Sequence, residues 1–215
     1  MTNLQKRILT SSIILPLSIF FIVKGGYFLL FFLLLIYFAG LHELFNVFKR
    51  IKTKVFLLLV LTLSILSIYY LANDSARSLF LLYFVIAISI SSDIGGYVFG
   101  KIFKWKKLSK ISPKKTISGV FGSYFCSFIC LVAYNDWSFS TYSFFVGDLL
   151  LIPEILLTII FSTVAQAGDL FISYFKRLDK IKDTGKILPG HGGIFDRIDG
   201  LMFVAVVASI FYFVI

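Results

Sequence analysis

The sequence predicts an all-α integral membrane protein, a polytopic helical bundle of about seven transmembrane helices with its N-terminus in the cytoplasm. Three observations predict this class. Hydrophobic residues make up 59% of the 215 residues and charged residues only 15%, whereas soluble domains have about 45–50% and about 25%. The apolar residues form runs of about 20, a length that crosses the bilayer as a helix. The basic residues collect in every second connection between those runs.

Seven apolar segments can be delimited along the chain. Each is expected to be a helix, because a backbone in lipid must satisfy its own hydrogen bonds, and the alternating segments of a membrane barrel are not found. The first segment follows a basic start without a small-residue cleavage site, which indicates an uncleaved span. The segments are residues 8–23, 27–48, 55–72, 78–99, 117–134, 149–167 and 198–215.

The distribution of positive charge sets the predicted orientation. Of the 21 Lys and Arg residues, 19 lie at the N-terminus or in every second connection, which places those segments in the cytoplasm. The net charge of +10 does not indicate nucleic-acid binding, because the basic residues form no separate domain. Cys126 and Cys130 are too few for a zinc site or a disulfide scaffold.

The chain is predicted to be a single membrane domain. Residues 1–77 form its N-terminal helices, and residues 78–215 form a catalytic region with two long cytoplasmic loops, 100–116 and 168–197. No repeat or second soluble domain is apparent. These two loops are therefore the places where chemistry is expected.

The first loop ends in a segment that is a candidate phosphate cradle. Two ammonium groups lie beside hydroxyls where a helix begins, a position that favours anions. The alternative is a positively charged anchor that contacts anionic lipid head groups. The candidate residues are Ser112, Lys114, Lys115 and Thr116.

The second loop is denser in polar groups. Gly192 and Gly193 allow backbone amides to approach a ligand closely, and Arg177 and Arg197 can bind phosphate oxygens with two donors each. Asp196 and Asp199 are three apart, so on a helical turn their carboxylates share a face suited to a hard divalent cation. The alternative is a glycine-rich surface loop with solvated charges.

Two further acids lie at membrane depth. Asp93 falls near the end of the fourth span and Asp169 closes the sixth. A carboxylate inside the membrane costs about 2.5–3.5 kcal/mol on insertion scales and usually has a partner or a function. With Asp196 and Asp199 at the same boundary, these acids predict a magnesium–polyphosphate site. The alternative is a structural ion pair. His42 and Glu43, at the end of the second span, are interpreted as interfacial residues.

The second loop resembles the signature of the phosphatidate cytidylyltransferase family. In that signature Ser-x-apolar-Lys-Arg precedes Lys-Asp, a small residue, Leu-Pro-x-His-Gly-Gly and Asp-Arg-x-Asp. The segments containing Asp93, Lys114 and Asp169 are also similar to family segments, so the resemblance covers the chain from about residue 90 to its end. The matching residues are Ser173, Lys176, Arg177, Lys182, Asp183, Gly185, Leu188, Pro189, His191, Gly192, Gly193, Asp196, Arg197 and Asp199.

The resemblance implies that phosphatidate reacts with CTP to give CDP-diacylglycerol and pyrophosphate, on the cytoplasmic side of a bacterial inner membrane. It implies Mg²⁺, leaves K⁺ open as a second cation, and suggests homodimers. The alternatives are a CTP-dependent lipid kinase and, from another class, an ion transporter. The expected metal ligands are Asp93, Asp169, Asp196 and Asp199. The expected catalytic residues are Asp169, Lys176, Arg177, Asp196 and Arg197. The expected substrate-binding residues are Ser112, Lys114, Lys115, Thr116, Lys182, His191, Gly192 and Gly193.

Overall fold

The fold is a series of α-helices that follow one another along the chain. The computed structural model describes residues 3–109, 112–139, 154–185, 187–188, 190 and 192–214. Within those ranges the regular structure is helical, apart from two isolated β-bridges. This confirms the predicted all-α class. The helices are α1 (Asn3–Lys24), α2 (Gly26–Val47), α3 (Ile51–Asn73), α4 (Ala76–Phe103), α5 (Ile117–Phe139), α6 (Glu154–Leu178) and α7 (Phe195–Val214).

Six of these helices, α2 to α7, are long and apolar enough to cross a membrane, whereas α1 contributes the shorter apolar stretch Leu9–Lys24. They follow the order of the predicted segments, but α4 and α6 continue beyond the apolar runs to Phe103 and Leu178. Residues 168–178 are therefore helical rather than part of a loop. A helix can continue into water because its backbone hydrogen bonds remain internal. Residues 149–153, predicted to begin the sixth span, lie outside the described residues.

Two clusters of buried apolar side chains join the helices. The larger cluster contains side chains from each of the helices α3, α4, α5, α6 and α7, including Phe84 and Phe161. The smaller one connects α2, α3, α6 and α7. Because lipid is itself apolar, close packing rather than exclusion of water stabilises such contacts within a membrane. The smaller cluster is built around the first residue of α7, and its buried members are Leu44, Phe48, Leu57, Val60, Leu61, Ile172, Phe195 and Met202.

Helices α4 and α5 form the most extensive helix pair. Gly95 of α4 lies so close to Gly122 of α5 that a Cβ at Gly95 would overlap the Gly122 carbonyl. Small residues permit this approach of two backbones. Ser92 lies about one turn before Gly95 on α4, and its carbonyl accepts a hydrogen bond from the Ser123 hydroxyl of α5 at 2.7 Å. The tight contact fixes the distance between Asp93, which follows Ser92, and the start of α5.

Six helix ends meet at one face of the bundle, here called the basic face. They are the last turns of α2, α4 and α6 and the first turns of α3, α5 and α7. Contacts between them include a hydrogen bond from the Lys49 amide to Asp179 Oδ2 at 3.2 Å and an ion pair between Lys115 and Asp169. The acids and basic segments expected at a common boundary are therefore adjacent in space.

Candidate active site

A polar cavity of about 430 Å³ opens at the basic face between α4, α5, α6 and α7. It is lined by groups from four separate parts of the chain, which explains how one pocket combines several acids with several bases. Most of the residues predicted from the sequence line this cavity. They are Asp93, Ser112, Lys114, Lys115, Thr116, Asp169, Lys176, Asp196, Arg197 and Asp199.

Three carboxyl groups form an acid cluster on the helical wall of the cavity. Asp169 of α6 and Asp199 of α7 lie next to each other, and both interact electrostatically with Asp93 of α4. The Gly200 amide donates to Asp199 Oδ1 at 2.9 Å. Adjacent carboxylates repel each other unless a proton or a cation lies between them. The acid cluster is therefore a natural position for a positive ion.

Lys115 reaches this cluster from the segment that precedes α5. Its ammonium lies 2.6 Å from Asp169 Oδ2 and donates to the Gln166 carbonyl at 3.3 Å. Thr116 places it there, because the Thr116 hydroxyl accepts the Gly119 amide at 3.1 Å and caps the first turn of α5. Lys115 thus neutralises part of the cluster and stands at the edge of the cavity.

Asp196 is surrounded differently from the other three acids. Its Oδ1 accepts from the Lys176 ammonium at 2.7 Å. Its Oδ2 accepts from the Thr184 amide at 2.8 Å and from the Gly193 amide at 3.3 Å. Both oxygens are therefore engaged by protein donors, and the carboxylate anchors the glycine-rich loop, defined here as residues 179–194, to the end of α6.

The other predicted residues that the structure describes are not part of the cavity wall. Lys182 is exposed, and the Arg177 guanidinium donates to the Ile181 carbonyl at 3.2 Å. The Gly192 amide donates to the Leu188 carbonyl at 3.1 Å, so both glycine amides predicted to bind phosphate have protein acceptors in this arrangement. His191 lies outside the described residues.

Glu43 is a residue whose importance the sequence interpretation missed. His42 is exposed, as expected of an interfacial residue, but the adjacent Glu43 is 1% exposed. Its carboxylate accepts hydrogen bonds from the glycine-rich loop and from the start of α7. The interpretation of Glu43 as interfacial is wrong, because the loop folds over it. Like Asp93 and Asp169, Glu43 is an acid at the end of a predicted span, and this position is the signal that could have identified it.

Asp179 is a second missed residue. It is buried at the end of α6 and accepts the Lys49 amide, while its Oδ1 lies 3.4 Å from Arg50 Nε. Lys49 and Arg50 were counted only as charges that set the orientation. In the structure they connect the α2–α3 turn to the glycine-rich loop.

The donor set of the acid cluster fits a magnesium ion. Across the part of the chain that the structure describes, no three His, Cys, Asp or Glu side chains are grouped as a metal site. Mg²⁺ does not require such a group, since it is commonly held by one or two carboxylates together with water and substrate phosphates. The contacting pair Asp169 and Asp199, open to the cavity, supplies oxygen ligands of that kind.

Comparison with known proteins gives consistent matches. A sequence profile described as the cytidylyltransferase family matches residues 55–215. A protein of Rickettsia felis named phosphatidate cytidylyltransferase is 33% identical over 207 residues, which is 94% of this chain and 89% of the relative. Proteins of the same name from Staphylococcus haemolyticus and Haemophilus influenzae are 43% and 34% identical over 63% and 69% of this chain. Those alignments cover 50% and 51% of these longer relatives.

Proposed function

This chain belongs to the cytidylyltransferase family, and from that premise we propose that it transfers CMP from CTP to phosphatidate, giving CDP-diacylglycerol and pyrophosphate. The observation that carries the proposal is the cavity at the basic face, in which acids from α4, α6 and α7 meet lysines from the segment before α5 and from α6. Both reactants are polyanions. An enzyme that joins them must cancel their repulsion and align them, and the cavity contains the groups for both tasks.

The reaction needs no covalent intermediate with the protein. An oxygen of the lipid phosphate attacks the α-phosphorus of CTP, a P–O bond forms, and the bond to the β-phosphate breaks as pyrophosphate leaves. Lys114, Lys115 and Arg197 line the cavity and bind the phosphates of the two reactants. Lys176, which is paired with Asp196 in the free protein, turns towards phosphate when substrate enters. The fixed positive charges stabilise the negative charge that develops in the transition state.

Mg²⁺ belongs to the same proposal. Asp169 and Asp199 would hold the ion with help from Asp93, and Asp196, which is paired with Lys176 in the free protein, would be a further carboxylate for it. Bound there, Mg²⁺ would neutralise phosphate charge and polarise the P–O bonds. K⁺ as a second cation remains part of the proposal. The proposed phosphate-binding set also includes Arg177, Lys182 and His191. The amides of Gly192 and Gly193 would belong to it once they leave their acceptors on Leu188 and Asp196.

The membrane arrangement accounts for access to both substrates. Phosphatidate keeps its acyl chains in the bilayer while its phosphate reaches the basic face, and CTP enters from the aqueous side. We place that face in the cytoplasm of a bacterial cell, at the inner membrane, because basic segments remain on the cytoplasmic side. Homodimers belong to the proposal, and native mass spectrometry of the detergent-solubilised protein tests them.

The reaction is tested with CTP labelled at either the α- or the γ-phosphorus. Purified protein is incubated with phosphatidate vesicles and Mg²⁺. Label from the α position is expected in the lipid, and label from the γ position in pyrophosphate. Transfer of γ-label to lipid with release of CDP would instead identify a lipid kinase. Absence of lipid labelling together with cation flux across sealed vesicles would identify a transporter.

Lys115→Met is expected to lower kcat/KM for CTP by about tenfold to a hundredfold. The substitution removes a charge-assisted contact of about 1.5–3 kcal/mol and leaves Asp169 without the ammonium that lies 2.6 Å from it. Lys107→Met is the matched control, because Lys107 is an exposed lysine nearby and its side chain does not line the cavity. If Lys115→Met and Lys107→Met had the same kcat/KM for CTP as the wild type, Lys115 could not be assigned to phosphate binding.

A further inference from the structure

We infer that Glu43 is a positioning residue for the site, since it fixes the glycine-rich loop and the first turn of α7 from a helix whose residues do not line the cavity. Glu43 lies on α2, before the residues 55–215 matched by the family profile. The inference rests on the proposed function for its catalytic consequence. Its structural part, the control of loop geometry, can be measured independently.

Glu43 accepts two hydrogen bonds from backbone amides and one from a side-chain hydroxyl. Oε1 accepts the Ile194 amide at 2.8 Å, and Oε2 accepts the Phe195 amide at 3.2 Å. The Thr184 hydroxyl also donates to Oε2 at 3.2 Å. Two of these donors belong to the start of α7, where the helix dipole favours a negative charge. Glu43 therefore caps α7 from another helix, and Thr184 within the glycine-rich loop meets the C-terminal end of that loop on one buried carboxylate.

The loop backbone fits closely around this carboxylate. A Cβ added at Gly193 would lie 2.7 Å from Glu43 Oε2, and one added at Gly185 would lie 2.5 Å from Glu43 Oε1. Both distances are shorter than van der Waals contact, so a side chain there would displace either the loop or the Glu43 carboxylate. The glycines at these two positions thus have a steric explanation that involves Glu43, in addition to any contact with substrate phosphate.

Glu43 and Asp196 hold the same loop in an interleaved manner. Thr184 donates its amide to Asp196 and its hydroxyl to Glu43. Gly193 donates its amide to Asp196, and the next residue, Ile194, donates to Glu43. A shift of the loop on Glu43 would therefore move the donors that orient Asp196. It would also move the turn of α7 that carries Asp199. Glu43 acts on the acids of the cavity through these bonds, without touching substrate.

The test uses Glu43→Gln. A carboxamide has one acceptor oxygen, so either the Ile194 or the Phe195 amide must face an NH₂ group and lose its bond. We expect amide hydrogen exchange of the peptide covering residues 192–195 to rise about tenfold or more in metal-free protein without substrate. We also expect kcat/KM to fall about tenfold to a hundredfold, with a higher Mg²⁺ concentration required for half-maximal rate.

Glu154→Gln is the matched control, because Glu154 is the other glutamate of the chain and begins α6 far from the basic face. It should leave loop exchange and the Mg²⁺ requirement unchanged. Thr184→Val removes only the hydroxyl bond and provides a second variant, with a smaller rise in exchange, if Glu43→Gln does not fold. Wild-type exchange at residues 192–195 in either folded variant would overturn the inference. So would faster exchange spread evenly over all helices, since that marks general destabilisation.

The two proposals can fail separately. If the wild-type protein does not label lipid from CTP, the proposed function fails, while the exchange measurement still decides whether Glu43 positions the loop. If the wild-type protein is active and Glu43→Gln changes the rate but not the exchange or the Mg²⁺ requirement, the positioning role is overturned and the reaction stands.

Discussion

Asp169→Asn is expected to lower kcat by about a thousandfold or more while the protein inserts and purifies normally. Asp169 is at the centre of the acid cluster, where it contacts Asp199 and pairs with Lys115. The amide has nearly the same shape but no charge, so it cannot balance a cation or the Lys115 ammonium. Loss of one preorganised electrostatic group in an active site typically costs about a hundredfold to a thousandfold, and a charged residue proposed to bind the metal belongs at the upper end.

Asp74→Asn is the control for this experiment. Asp74 lies just beyond α3, at the opposite end of the bundle, and its Oδ2 accepts the Tyr212 hydroxyl at 2.8 Å. An asparagine oxygen can accept the same bond, so turnover should remain within about twofold of wild type. Initial rates measured over a range of Mg²⁺ concentrations decide the outcome. Near-wild-type turnover by Asp169→Asn would remove the acid cluster from the mechanism.

The helices could be predicted from local pattern because the bilayer imposes a local rule. A run of about 20 apolar residues favours a helix that crosses the bilayer, so the order of helices α2 to α7 follows from the positions of the apolar runs. The ends of the helices cannot be predicted in this way, because the requirement for apolar residues applies only within the lipid. Residues 173–175 could extend the sixth span, but the charged Lys176 and Arg177 do not indicate that α6 continues to Leu178.

The cavity wall could be predicted where a residue is anomalous in its own surroundings. Asp93 and Asp169 stand out as acids at membrane depth, and Asp196 and Asp199 stand out by their spacing. Asp179 and Lys49 could not be found in this way, because their contact joins residues 130 positions apart. Glu43 bonds to residues 141 to 152 positions away. Only the folded arrangement shows that the N-terminal helices support the glycine-rich loop.

These contacts divide the work between the two halves of the chain. The residues that line the cavity come from α4 onwards, while α2 and the α2–α3 turn hold the glycine-rich loop through Glu43, Lys49 and Arg50. A long loop at a membrane surface would otherwise sample many conformations and lose the alignment that the two anionic reactants require. The N-terminal helices therefore contribute to activity by restricting the loop.

Asp196→Asn is expected to abolish measurable turnover, with an effect as large as that at Asp169 but of different origin. Asp196 and Lys176 form a largely buried ion pair, with side chains 12% and 11% exposed. Removing one partner of such a pair costs about 3–5 kcal/mol, because the other charge is left buried without compensation. The carboxamide NH₂ would also face either Lys176 or the amides of Thr184 and Gly193, which are all donors.

A double-mutant cycle with Lys176→Met separates this pair from the rest of the site, since it compares each single variant with Lys176→Met/Asp196→Asn. If the two groups act as a pair, the loss of unfolding free energy in the double variant should be smaller than the two single losses together by about 1–3 kcal/mol. Turnover should remain undetectable in the double variant, because the phosphate contact of Lys176 is lost as well. Lys52→Met, at an exposed position of the same face, controls for removal of a lysine. Additive losses of unfolding free energy would show that Asp196 is held by the loop amides alone. Wild-type turnover by Asp196→Asn would exclude Asp196 from both loop anchoring and metal binding.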